Sequence, residues 1–277
     1  MDGGAGVFRR FVAYVFVFSL LGLMPAHSQN TSNPADGPRL FDQGMNGIRG
    51  SSVNRNDRET IEFFRRSAEL GYAPAQVALG YMYDTGFRVA KEPGRAADWY
   101  KKAAQQGDSL APWLLGRVIY LGAVPPLDLN DAINWLQRAS DANNPFAQHL
   151  LGLIKLGKND YTKAGELFQK ASQQGLPQAQ YELGKLLLRG PGTIKQDKFE
   201  AYVWLLMAGD ANYAQYPELQ SLETDLGKAR AEEAKTTARQ RERESSRTVI
   251  ARGCTGWDGE FDRIPSPPPL DVQQFCR

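Results

Sequence analysis

APAQVALGYMYDTG at residues 73–86 and GRAADWYKKAAQQG at residues 94–107 decide how this chain folds. In the first stretch Ala75, Leu79, Gly80 and Tyr83 stand at offsets 0, 4, 5 and 8, the spacing of one face of an α-helix. In the second, Ala96, Trp99 and Ala103 stand at offsets 0, 3 and 7, again a single helical face. Both stretches recur. Leu79-Gly80 returns as Leu115-Gly116, Leu151-Gly152 and Leu183-Gly184, in steps of 36, 36 and 32 residues. An alanine stands four residues before each leucine: Ala75, Ala111, Ala147 and Ala179. The second series keeps pace as Ala132, Trp135 and Ala139, then Ala164, Leu167 and Ala171, then Ala201, Trp204 and Ala208. A fixed period of about 20–50 residues marks a solenoid. The repeating unit is therefore two antiparallel amphipathic helices, A and B.

The punctuation agrees. Gly107, Asn143, Gly175 and Asn212 each follow the last alanine of a B helix by four residues, and Gly71 follows Ser67 in the same register. Glycine and asparagine accept the left-handed conformation that closes a helix. Pro145 and Pro177 then stand where the next helix starts. Gly71 implies an upstream B helix over residues 57–70, and Gly44 hints at a degenerate first A helix near residues 38–50. The glycines inside the A helices each cost about 1 kcal/mol relative to alanine. Four at one phase imply that the missing side chain lets the partner helix approach closely.

APAQVALGYMYDTG with GRAADWYKKAAQQG, and PQAQYELGKLLLRGPG (177–192) with FEAYVWLLMAGDAN (199–212), resemble the Sel-one-like repeats, a branch of the tetratricopeptide-like solenoids. The resemblance covers residues 57–212. It implies an all-α, right-handed superhelical solenoid of four to five helix pairs with a C-terminal capping helix. The third repeat departs from the pattern: residues 150–175 have lost four residues between their helices and carry Leu167 in place of tryptophan.

Arg9 and Arg10 precede an apolar run over residues 11–24, and Ala26-His27-Ser28 places small residues at the two positions a signal peptidase reads. This pattern predicts a secretory signal over residues 1–28 and export of the remainder, to the periplasm or cell envelope in a Gram-negative host and otherwise to the exterior. The alternative is an uncleaved anchor. Cleavage would leave 31 basic and 30 acidic residues, a balance that argues against nucleic acid as a partner and against general attraction to anionic membranes.

Residues 29–40, QNTSNPADGPRL, read as a disordered leader within a 29–56 segment, with Asn30-Thr31-Ser32 a formal glycosylation sequon. Residues 213–247 read as one helix that caps the solenoid with Leu219, Leu222 and Leu226. Its later half, with Arg239, Arg241, Glu242, Arg243 and Glu244, reads as a solvated face. Residues 248–277 form a tail with the chain's two cysteines, Cys254 and Cys276. In an exported chain this even pair is a disulfide candidate, the alternative being two free thiols in a mobile tail.

Residues for chemistry are sparse. After the signal, His149 is the sole histidine, no Ser-x-x-Lys motif occurs, and no glycine-rich phosphate loop is present. No cofactor, metal site or catalytic residue is expected. Some cysteine-rich members of the resembled family are described as acting on β-lactams, but they carry paired cysteines within the repeats and this chain has none there.

Binding is the favoured reading. In solenoids of the resembled type the A helices line a concave groove. The stripe at offsets 2, 6 and 9 from each A-helix alanine is expected to face it. These positions are Val77, Tyr81 and Asp84; Trp113, Arg117 and Tyr120; His149, Leu153 and Leu156; Tyr181, Lys185 and Leu188. Trp113 with Arg117 and Tyr120 is the strongest cluster, because aromatics and arginine dominate interface hot spots. Its alternative is packing between neighbouring A helices. Trp113→Ala with Arg117→Ala is expected to weaken partner capture without lowering the melting temperature. Trp99, Trp135 and Trp204 are assigned to the core between helices. The expected role is a noncatalytic scaffold or regulator in the envelope that binds a protein or peptide. The rivals are an envelope hydrolase and a solenoid whose groove aromatics stack on sugar rings.

Overall fold

The computed structural model describes residues 33–49, 57–209 and 217–252. The chain divides into two units, Met1–Asn33 and Pro34–Arg277, and every helix among the described residues belongs to the second. Ten helices form five A–B pairs: α1 (Asp36–Arg49) with α2 (Asp57–Glu69), α3 (Ala73–Thr85) with α4 (Pro93–Gln105), α5 (Ala111–Tyr120) with α6 (Leu129–Asp141), α7 (Pro145–Gly157) with α8 (Tyr161–Gln173), and α9 (Pro177–Arg189) with α10 (Lys198–Ala208). Each of the first four B helices packs on its own A helix and on the next one along, and α10 packs on α9. Two further helices, α11 (Pro217–Leu226) and α12 (Lys228–Arg252), pack on α10.

The alanines of both series are fully buried where the helices cross. Beside them the A-helix glycines act as sockets. A Cβ built on Gly44, Gly80, Gly116, Gly152 or Gly184 would lie 2.9, 2.7, 2.7, 2.5 or 2.7 Å from the side chain of Phe64, Tyr100, Leu136, Phe168 or Leu205. Those five large side chains all stand on the partner B helix and are almost wholly buried. The absent methyl group is thus replaced by a ring or a leucine, which offsets the helix-propensity cost of about 1 kcal/mol per glycine.

This pairing corrects the place given to Trp99 and Trp135, while Trp204 lies in the core as expected. The core position of the B helix lies one residue after them. Trp99 and Trp135 are only half-buried and lie under Lys102 and Arg138, whose charged groups stand 3.8 and 4.5 Å from the ring centres. Trp204 is buried, with the Arg241 guanidinium 5.2 Å above it.

The helix closures follow the expected chemistry. Gly71, Gly107, Asn143 and Gly175 have φ of 88°, 88°, 63° and 87°. The following N–H, from Tyr72, Asp108, Asn144 or Leu176, donates back to the carbonyl of Ser67, Ala103, Ala139 or Ala171. This is the six-to-one bond that satisfies an orphan carbonyl at a helix end. Asn212 lies outside the described residues.

Two boundaries shift. The hinted first A helix is a formed element: Phe41, Met45 and Ile48 are buried, and Phe41 meets Phe64 edge-on at 5.6 Å. The stack therefore begins at Asp36, inside the segment read as a leader. At the other end the single expected capping helix is two, divided at Gly227, whose φ is 75°. Ala231, Ala234 and Ala238 of α12 are buried, and Arg241 on the same face donates two bonds to Glu200 at 2.8 and 2.9 Å. Arg241 is thus a packing residue, because the buried seam continues past the leucines of α11 through the alanines of α12. Residues 1–28, the sequon, Cys254 and Cys276 lie outside the described residues. No helix among the described residues is long and apolar enough to cross a membrane.

Candidate functional site

The A-helix stripe is the feature that runs through every repeat, and its environment changes along the stack. On α3 every residue over positions 75–84 is buried, the stripe residues Val77, Tyr81 and Asp84 included. Tyr81 is 4 % exposed, and burial, helped by the nearby Asp84 charge, pushes its phenol up to about 12. Asp84 makes an ion pair with Arg117 of α5 and accepts a hydrogen bond from the Tyr100 hydroxyl at 3.5 Å. Burial drives the Tyr100 phenol well above its ordinary range, so it remains a donor to that carboxylate.

Trp113 of α5 is 5 % exposed and stacks on Phe146 of α7, with ring centres 5.7 Å apart and an interplanar angle of 23°. The indole Nε1 and the Arg117 Nε are buried with no hydrogen-bond partner among the described residues. Tyr81 and Trp113 are therefore core residues as the helices stand. The reason is that side chains of α3 and α5 reach the next A helix: Asp84 meets Arg117, and Trp113 stacks on Phe146. The expected Trp113–Arg117–Tyr120 contact cluster is not brought together as a surface. Trp113 is sealed, Arg117 is half-buried against Asp84, and Tyr120 is exposed at the helix end. The double substitution of Trp113 and Arg117 would disturb the core as well as any contact.

On α7 and α9 the same offsets are half-open. His149, Leu153 and Leu156 are partly buried, as are Tyr181, Lys185 and Leu188. His149 leans on the Phe168 ring at 5.9 Å. Burial, reinforced by the positive charge of Lys185, pulls its imidazole down to about 4, so it is neutral near pH 7. Lys185 stands 4.2 Å from the centre of the Tyr181 ring and donates to Glu182 at 2.8 Å. This segment presents leucines, one imidazole, one phenol and one cation in a single strip.

Sequence reasoning missed a set of buried amides. Gln76, Gln148 and Gln180, one residue after their A-helix alanines, donate through Nε2 to the carbonyls of Ala68, Ser140 and Ser172 at 3.1, 3.4 and 3.3 Å. Each bond ties an A helix to the last turn of the preceding B helix. Gln106 and Gln174 extend two of these links, donating to Gln76 at 2.7 Å and to Gln148 at 2.8 Å. The signal was legible as a third residue type at the repeat phase, broken only by Pro112. On the B-helix side lie two open clefts. The larger, of about 390 Å³, lies between α8, α10 and α12 around Trp204, Glu200 and Arg241. The smaller, of about 250 Å³, lies between α2, α3 and α4 around Tyr83 and Trp99. No group of three or more histidine, cysteine or carboxylate residues among the described residues is placed to hold a metal ion.

A family model described as the Sel1 repeat matches residues 44–72, 73–108, 110–144, 145–176 and 177–213. The chitin synthase regulator SKT5 of Saccharomyces cerevisiae is 29 % identical over 180 residues, which are 65 % of this chain and 20 % of that protein. The match thus spans about a fifth of that relative's length. The exopolysaccharide production negative regulator of Rhizobium leguminosarum bv. viciae is 26 % identical over 209 residues, covering 70 % of this chain and 69 % of that protein. Among solved structures, c5321, a protective antigen of uropathogenic Escherichia coli with an SLR fold, superposes with a TM-score of 0.69 at 26 % identity, covering 87 % of this chain and 50 % of that one. A Sel1 repeat protein from Oxalobacter formigenes superposes with a TM-score of 0.58 at 25 % identity, covering 66 % and 72 %.

Proposed function

We propose that this chain, which belongs to the Sel1 repeat family, is an exported, noncatalytic regulatory scaffold. In this reading it holds a protein of a polysaccharide-producing apparatus against the A-helix face of α7 and α9. The observation that carries the reading is the half-open strip of His149, Leu153, Leu156, Tyr181, Lys185 and Leu188. It combines apolar area with one cation and one phenol, the mixture that gives interfaces both affinity and orientation. The regulatory role is supported by the similarity to two proteins named as regulators, one of chitin synthase and one of exopolysaccharide production. Export is supported by the basic, apolar and small-residue pattern of residues 1–28. The bound segment is a helix or an extended peptide with an acidic group for Lys185 and apolar side chains for the three leucines.

The test is a photo-crosslinking residue placed at Leu156 or Leu188 in cells of the native host, with mass spectrometry of the captured protein. The expected result is one dominant adduct to a component of polysaccharide synthesis or its control, in the envelope fraction and lost with Lys185→Glu. Adducts unchanged by Lys185→Glu, or a wholly cytoplasmic protein, would overturn the reading.

A further inference from the structure

The loops that join A to B helices carry an irregularity that leaves one apolar seat uncovered. These loops span seven residues between α3 and α4, eight between α5 and α6, three between α7 and α8, and eight between α9 and α10. Two of the long loops, α3–α4 and α9–α10, reach back to the first turn of the preceding B helix. Between α9 and α10, Thr193 shares a hydrogen bond with Thr162 of α8 at 2.7 Å. In the same loop Gly192 rests on the Tyr161 ring, and Ile194 packs beside Gly165. Between α3 and α4, Arg88 bonds Asp57 at the start of α2 at 3.0 Å.

The first turn of α6 should be covered in the same way by the loop between α7 and α8. That loop is only Lys158, Asn159 and Asp160, and it does not reach. Leu129, which occupies on α6 the place that Tyr161 holds on α8, is left 42 % exposed. Beside it Leu127 is 40 %, Leu121 63 % and Tyr120 40 % exposed. Among the described residues, every large hydrophobic side chain that is exposed lies between Tyr120 and Leu129. The exposed leucines of the 121–128 loop thus accompany a first turn of α6 whose own covering loop is too short to reach it.

We infer that the occupant of this seat is the α5–α6 loop of a second copy of the chain. The seat on α8 accepts an eight-residue loop through Ile194, and the chain's own 121–128 loop has the same length and exposes Leu121 and Leu127. A knob and a hole side by side on one surface are self-complementary about a two-fold axis, each copy filling the other's gap. The charges agree: exposed Lys158 borders the hole and exposed Asp128 borders the knob, so the two-fold contact sets each lysine against the other copy's aspartate. Four apolar side chains per copy make a small contact, at the transient end of about 1,200 Å² or less, with a dissociation constant on the order of micromolar.

Sedimentation of the purified protein tests this over about 1–100 μM, the range set by that affinity. The wild type is expected to show a reversible monomer–dimer equilibrium. Leu121→Asp with Leu127→Asp should raise the dissociation constant at least about tenfold. Both residues are exposed, so helical circular dichroism and melting temperature should not change. Lys158→Glu should weaken the dimer several-fold by setting glutamate against Asp128. Adding Asp128→Asn, which removes that charge and keeps the helix cap, should recover part of the loss. A wild type that stays monomeric throughout, or variants that dimerise as well as it does, would overturn the inference. So would a monomer that floats with phosphatidylglycerol-containing vesicles unless Leu121 and Leu127 are replaced, since the patch would then be a membrane contact.

Discussion

The A-helix stripe is sealed on α3 and at Trp113 of α5 and half-open on α7 and α9, although the positions are equivalent by repeat. The difference comes from the side chains on each stripe and from the helix that comes next in the stack. On α3 and α5 the stripe carries rings and a matched ion pair that reach the next A helix: Trp113 meets Phe146, and Asp84 meets Arg117. On α7 and α9 it carries leucines, a neutral imidazole and a lysine already paired within its own helix. Among the described residues no A helix follows α9, and α11 and α12 pack on the B helix α10. Where a repeat lies in the stack thus decides whether a given phase is core or contact surface.

The largest expected effects lie in the sealed half. Trp113→Ala removes a buried indole and leaves a cavity against Phe146, so unfolding free energy should fall by about 3–5 kcal/mol. Arg117→Ala leaves the Asp84 carboxylate buried without its cation and should cost a comparable amount, about 3–5 kcal/mol. Arg117→Ala with Asp84→Asn should recover much of that loss, because the carboxylate goes with its partner. Denaturant titrations of the four proteins measure this. Single-variant losses below about 1 kcal/mol would show that the two halves are not differently packed.

The boundary between the halves should respond to pH. His149 titrates near 6.5 when unfolded and at about 4 when folded. Above pH 6.5 both states are neutral and the contribution to stability is fully present. As pH falls from about 6.5 to about 4, the unfolded chain takes up a proton that the folded chain does not, so stability declines by up to about 3 kcal/mol. His149→Gln should flatten that part of the profile, and the difference between the two proteins isolates it from carboxylates common to both. Parallel curves would mean that the imidazole stays hydrated and that this part of the strip is open to water.

Much of the architecture was legible because its determinants are periodic. Alanine, glycine and closure residues recur at one phase, and each has a local physical reason to be there. The strip was legible as a set of positions and illegible as a surface. Val77 and Leu153 stand at the same offset class as residues that differ widely in exposure, and only packing against the next helix separates them. Trp99 misled for a related reason. A tryptophan at a helical period looks like core, yet the socket at Gly80 takes Tyr100, one residue further on. Arg241 sits in a stretch of alternating charge, and its role depends on Glu200 and Trp204, 41 and 37 residues away.

The smallest effect on stability belongs to the open half, and there it separates contact from core. Lys185 is partly exposed, bonds Glu182 within one helix turn and stands over Tyr181. Such a pair contributes about 0–1 kcal/mol, so Lys185→Ala should leave the melting transition almost where it was. If the strip is where a partner docks, the same substitution removes the one cation that faces an acidic group on that partner, and the capture at Leu156 or Leu188 should fall. A normal melting transition with lost capture identifies a contact residue. A large loss of stability from Lys185→Ala would place it with Arg117, and the strip would then be sealed along its whole length.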